Sequence, residues 1–225
     1  AIRMAANEGL TELSNYMLYN FKDTPSDLYH RMRLNIDLNK ELDIRIFSFP
    51  MRYQPTDLPN RSFVSEKWHQ YYLRSMQIIL QATHGIVSGE PAFFEEAFGE
   101  NQERFEELLL LPQHYLFNRF WYRYYEGRAE LDEFQAKFSA LSIAERQELA
   151  TLLSTTTPRG FAGLIGQAES SKVNRILSYY VPLADGEEEK IWALMKQRLK
   201  DRKQPEQIIP ADELVEDAGL AEVVH

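Results

Sequence analysis

The chain contains no cysteine among its 225 residues. Disulfides, thiolate zinc sites and thiolate-held iron–sulfur clusters are therefore excluded from within it. It also lacks any apolar run near the length of about eighteen residues that a membrane-spanning helix needs. The longest such stretch, residues 108–112, is far too short. There is no basic excess either. A net charge of −9 argues against a large nucleic-acid footprint, which requires a basic face. No initiator Met is present, and the N-terminus has no signal-peptide pattern of basic, apolar and small-residue regions.

What stands at the N-terminus is the second half of an amphipathic helix, closed by Gly9 where a C-cap glycine belongs. A chain that opens in mid-helix is expected to be part of a longer one. Residues 12–21 (ELSNYMLYNF) read as a buried strand. Thr24 then supplies a helix cap, Pro25 suits the first helical position, and Asp27 lies where a carboxylate can return to the cap. That helix is predicted to run to Leu42, with Leu28, Met32 and Ile36 on one stripe and Leu34, Leu38 and Leu42 beside it. Residues 44–49 (IRIFSF) form a second strand, ended by Pro50.

Strand, helix and strand with short connections make a βαβ unit, whose strands are expected to lie parallel with a right-handed crossover. Two parallel strands do not make a stable sheet alone, because both faces need cover and both edges need partners. Further strands are expected from upstream of Ala1 or from another chain. Beyond a proline-containing loop at 54–61, the pattern turns helical, with helices predicted at 65–83, 92–98, 101–110, 112–125, 131–140, 143–154, 172–180 and 187–202. The fold class is thus α/β passing to mostly α. Three regions follow: a βαβ portion at 1–61, an α-helical domain at 62–203, and an acidic, loosely ordered tail at 204–225.

The segment from Ala1 to Pro55, and above all YNFKDTPSDLY with IFSFPMRYQP, resembles the last two strands of a radical S-adenosylmethionine (SAM) barrel. The block SFVSEKWHQYYLRSMQIILQATHGIVS, with FFEEAFG, resembles the helical extension of one radical SAM subgroup. The resemblance covers about the first hundred residues. It implies the βαβ end of a partial TIM-type barrel, from a cytoplasmic enzyme that cleaves SAM at a [4Fe–4S] cluster to begin radical chemistry on an unnamed substrate. Three closely spaced cysteines hold that cluster, so the resemblance places its ligands in an N-terminal barrel half outside this chain.

Strand ends of such a barrel gather ligands at its C-terminal face. The resemblance puts Asn20 near the adenine of SAM, although Tyr19-Asn20-Phe21-Lys22 departs from the Gly-x-Pro-Gly-like turn frequent in the family. Tyr16, Ser48 and Arg52 complete the candidate cofactor contacts. Arg52 is suited to a carboxylate or phosphate. For Tyr16, Tyr19 and Asn20 a second reading stands beside this one: barrel packing, and a polar strand end closing a turn.

Other features have simpler readings. His30, His69, His84 and His114 show no metal-ligand spacing. Residues 117–125 (FNRFWYRYY) mix arginine with aromatics in a way that can bind nucleic acid, but Phe117, Trp121 and Tyr124 also make one helical stripe suited to a core. Gly160, Gly163 and Gly166 match no phosphate-binding loop and read as a flexible turn. A non-catalytic helical interaction module built on a degenerate half-barrel is the alternative to the enzyme reading.

Overall fold

The computed structural model describes residues 1–58 and 62–202. The predicted tail, 204–225, lies outside them. Helix α1 (Ile2–Asn7) ends at Glu8. Gly9 follows at φ +88°, a left-handed conformation that glycine adopts without steric cost. There its N–H reaches Ala6 O and the N–H of Leu10 reaches Ala5 O, satisfying the orphan carbonyls of the helix.

Strand β1 (Glu12–Tyr19), helix α2 (Pro25–Leu42) and strand β2 (Arg45–Arg52) form the expected unit. The strands pair in parallel, from Glu12 opposite Arg45 to Tyr19 opposite Arg52. The cap of α2 is a full capping box, with Asp27 N donating to Thr24 Oγ1 and Thr24 N donating to the Asp27 carboxylate. Leu28, Met32 and Ile36 are buried as the periodicity requires, whereas Leu34 is exposed and leaves the predicted stripe.

Two details of the strands differ from expectation. β1 is not buried throughout: its residues alternate, and only Met17 and Tyr19 are fully covered. β2 does not stop at Pro50 but runs through it to Arg52. Successive residues of a strand direct their N–H groups to opposite sides. The bonds from Arg45 N to Thr11 O and from Tyr53 N to Tyr19 O set the phase, so position 50 faces away from β1 and its lack of an N–H breaks no ladder bond.

The remainder is helical: α3 (Gln70–Ala82), α4 (Pro91–Phe98), α5 (Gln102–Leu110), α6 (Gln113–Phe117), α7 (Arg119–Tyr124), α8 (Arg128–Ser139), α9 (Ile143–Ser154) and α10 (Ser171–Leu177). Helix α3 begins later than its pattern predicts, and Trp68 is buried in the turn before it. The single helix expected over 112–125 is broken at Asn118. That break changes which side chains face inward. Tyr115, Leu116 and Tyr122 enter the core, while Phe117 is exposed and Trp121 and Tyr124 are half-buried, so the predicted stripe does not form. The glycine-containing stretch forms a 3-10 helix, Pro158–Leu164, rather than a flexible turn.

One core runs from Met17 and Tyr19 through Leu28 and Trp68 to Tyr71, Phe105, Leu149 and Tyr180. Residues 1–182 form a single compact unit, so βαβ portion and helices share their interior. A smaller cluster of Leu38, Ile44 and Ile46, with Ile2 and Ala6 of α1, closes the opposite end of the sheet. Helix α11 (Glu187–Arg202) belongs to a second unit beginning at Leu183. Among the described residues, no helix is long and apolar enough to cross a membrane.

Candidate functional site

Alternation along the two strands divides their side chains between two faces. Met17, Tyr19, Ile46 and Ser48 are buried on the face that packs against the helices. The other face carries Ser14, Tyr16 and Leu18 from β1 and Phe47, Phe49 and Met51 from β2, all exposed or half-buried. Tyr16 is 73% exposed, Leu18 49% and Met51 48%, so among the described residues nothing covers the outer part of this apolar face. Tyr16 stands opposite Phe49, with ring centroids 5.7 Å apart. At the N-terminal end of the face, Glu12 and Arg45 pair at 3.3 Å.

Beyond the C-terminal ends of both strands, residues 62–68 fold across and are pinned in place. Asn20 sits directly after β1 at φ 67°, a left-handed conformation that asparagine tolerates better than most residues. It is fully buried. Its Nδ2 donates to Phe63 O at 3.0 Å and to Tyr53 O at 3.3 Å, while its Oδ1 accepts from Ser65 N at 2.9 Å. Arg52 donates to Phe63 O at 2.8 Å. Trp68 Nε1 donates to Asp23 O, and Lys67 Nζ donates to Lys22 O. On the α2 side, Arg31 donates to Leu18 O and pairs with Asp23. Burial pushes the Tyr19 phenol up to about 12 against the opposing charge of Arg52, so it stays protonated at neutral pH.

The four residues singled out as cofactor contacts are not brought together. Tyr16 lies on the bare face. Ser48 lies on the other, 1% exposed, where it accepts a hydrogen bond from Asn35 Nδ2 at 2.6 Å. Asn20 has both amide hydrogens and its oxygen engaged within the protein. A direct contact from its amide N–H groups to adenine would require breaking these bonds. Arg52 faces the same side as Ser48 and binds a backbone carbonyl. Arg52→Ala is expected to lower stability by about 1.5–3 kcal/mol, the range for a hydrogen bond involving a charged group. Chemical denaturation of the variant checks this, and an unchanged midpoint contradicts it.

The sequence reading missed Phe63 and Ser65 as participants, because both act through backbone atoms and no side-chain pattern announces them. Among the described residues, no group of three or more His, Asp or Glu is placed to hold a metal ion. With no cysteine either, the residues of this chain do not fit an iron–sulfur cluster. Three histidines have structural surroundings: His30 bonds Gln102, His69 bonds Gln147, and burial lowers His114 to about 4, which keeps it neutral. In the Arg/aromatic stretch, Arg123 pairs with Glu96, and nearby Arg128 pairs with Asp132. Their charges are met by carboxylates rather than left for phosphates.

Compared with known proteins, the chain matches no family model, no curated protein and no solved structure.

Proposed function

We propose that this chain is the C-terminal part of a radical SAM protein of the cytoplasm, with β1 and β2 as the last two strands of its partial barrel. The observation that carries the reading is the bare apolar face. A βαβ unit whose two strands are covered by helices on one side and present Tyr16, Leu18, Phe49 and Met51 on the other has the composition of a sheet buried on both faces. In a barrel that second face is the interior, filled by side chains and, at the strand C-termini, by ligand.

On this reading the chain holds neither the cluster nor the polar groups of SAM. It supplies one apolar wall of the chamber, and residues 62–68 close that sector of the mouth. The cluster and its thiolates belong to the preceding barrel half, and the reaction begins there. The helical part, sharing one core with the strands, keeps this wall rigid.

The gene that encodes this chain tests the assignment. A C-x-x-x-C-x-x-C triplet is expected in the coding sequence upstream of Ala1, and the 225-residue chain, reconstituted with iron and sulfide, is expected to take up no cluster. A coding sequence without such a triplet removes the enzyme reading. The second reading, a non-catalytic interaction module on a degenerate half-barrel, is favoured by one observation: Asn20 and Arg52 at the strand ends are engaged by the protein itself.

A further inference from the structure

The buried tyrosines differ in what their hydroxyls donate to. Tyr29 donates to Gly99 O, Tyr71 to Leu111 O and Tyr180 to Leu110 O, at 3.1, 2.7 and 2.5 Å. A main-chain carbonyl accepts such a bond but is far too weak a base to take the proton. Tyr115 is different. It is 2% exposed, and its hydroxyl donates to Glu130 Oε1 at 2.7 Å, the length of a charge-assisted bond. Glu130 itself is exposed, in the first turn of α8. A buried phenol is thus joined by one hydrogen bond to a base that opens on water. At rest Tyr115 keeps its proton, because burial and then the neighbouring Glu130 charge both push the phenol well above its ordinary range.

Tyr115 also stands within a run of touching rings. Tyr122 lies 4.2 Å from it and Phe134 5.6 Å, centroid to centroid. Phe134 continues to Tyr180 at 6.0 Å and to half-buried Tyr179 at 5.6 Å, and Tyr180 continues to Tyr71 at 5.8 Å. Rings at these separations are in contact, and an electron passes between them without any bond being made. The chain has no cysteine, so tyrosine and tryptophan are the side chains that give up one electron most readily. For a phenol that loss carries a condition. The radical cation left behind is a strong acid, and it persists only as a neutral radical whose proton has gone to a base. The single O–H of Tyr71 and that of Tyr180 are committed to carbonyls, whereas that of Tyr115 is committed to a carboxylate. An oxidising equivalent in this run of rings therefore comes to rest at Tyr115.

We propose that Tyr115 is a redox-active tyrosine with Glu130 as its proton acceptor, holding one oxidising equivalent as a neutral phenoxyl radical. In this step the O–H bond of Tyr115 breaks. Its electron passes to a one-electron oxidant of the organic-radical or high-valent metal class, which is reduced, and its proton passes to Glu130 Oε1. One electron from a reductant of the ascorbate class, with the proton returned from Glu130, restores the phenol. The distance of 2.7 Å lies within the range over which a positioned base takes a proton directly. Tyr122 packs against the ring that carries the radical, and Phe134 joins it to the tyrosines of the core. The inference goes beyond the barrel reading and does not rest on it, since it uses the helical part alone.

Photo-oxidation of the 225-residue chain with ruthenium tris-bipyridine and persulfate, followed by freeze-quenching and electron paramagnetic resonance, tests the proposal. The unaltered chain is expected to give a neutral tyrosyl signal. Tyr115→Phe keeps the ring and loses the hydroxyl, and is expected to lower that signal about tenfold or more. Glu130→Gln keeps an acceptor for the hydroxyl but removes the base, and is expected to lower the signal by a similar factor. Tyr16→Phe, which removes an exposed phenol outside this run of rings, is expected to leave the signal unchanged. Far-UV circular dichroism reports the fold of each variant, and Glu130→Gln, at an exposed position, decides the matter should Tyr115→Phe not fold. No tyrosyl signal from the unaltered chain overturns the proposal, as does a full signal from folded Tyr115→Phe. A full signal from Glu130→Gln overturns it as well, because the radical then forms without the carboxylate.

Discussion

Asn20→Ala is expected to lower the unfolding free energy by about 3–5 kcal/mol, a large effect for a residue that is neither apolar nor charged. Two costs combine. Alanine in a left-handed conformation is unfavourable by about 1–2 kcal/mol. Removal of the amide also leaves the Ser65 N–H and the Tyr53 carbonyl without their partner, at about 1 kcal/mol or more each, and takes from the Phe63 carbonyl one of its two donors. Asn20→Gly separates the two, because glycine adopts φ 67° freely and loses only the hydrogen bonds. The glycine variant is therefore expected to be the more stable of the pair by about 1–2 kcal/mol. Urea denaturation of both variants measures the difference. Two variants that each lose less than about 1 kcal/mol show that the amide does not hold the strand ends together.

Trp68→Ala is expected to cost about 3–5 kcal/mol, the range for emptying a buried aromatic site. Trp68 is 3% exposed, its ring centroid lies 5.3 Å from that of Tyr19, and its Nε1 donates to Asp23 O at 2.9 Å. It therefore ties the turn before α3 to the end of β1 and to the loop before α2. Because the core is continuous across this contact, the variant is expected to unfold residues 1–182 in one transition at lower denaturant. A separate early transition confined to residues 1–61 contradicts a shared core.

The βαβ unit was legible because its signals are local. A capping box, a proline at the first helical position and a left-handed glycine after α1 each act within a few residues, and the structure contains all three. Pro50 misled for a physical reason. Proline ends a strand when its absent N–H belongs to a ladder, and a sequence does not say which side of the strand position 50 faces. The helix over 112–125 failed similarly: Phe117, Trp121 and Tyr124 keep helical spacing across Asn118, while the break falls at that buried asparagine.

The candidate site was legible only in part. Asn20 was singled out through the resemblance, and Arg52 because an arginine just past a buried strand needs a partner. What they bind was not, since Phe63 and Ser65 contribute a carbonyl and an N–H that every residue type possesses. Ser48 illustrates the limit on face assignment. Its neighbour Asn35 lies 13 positions earlier on α2, and that pairing turns a candidate ligand contact into part of the strand–helix interface.

Formation of 5′-deoxyadenosine from SAM tests the central claim most directly. The full-length gene product, purified and reconstituted with iron and sulfide under anaerobic conditions and then reduced, is expected to produce 5′-deoxyadenosine, and the 225-residue chain treated identically is expected to produce none. A full-length product that holds a complete cluster yet forms no 5′-deoxyadenosine, or that holds no cluster at all, contradicts the assignment of this chain to a radical SAM barrel.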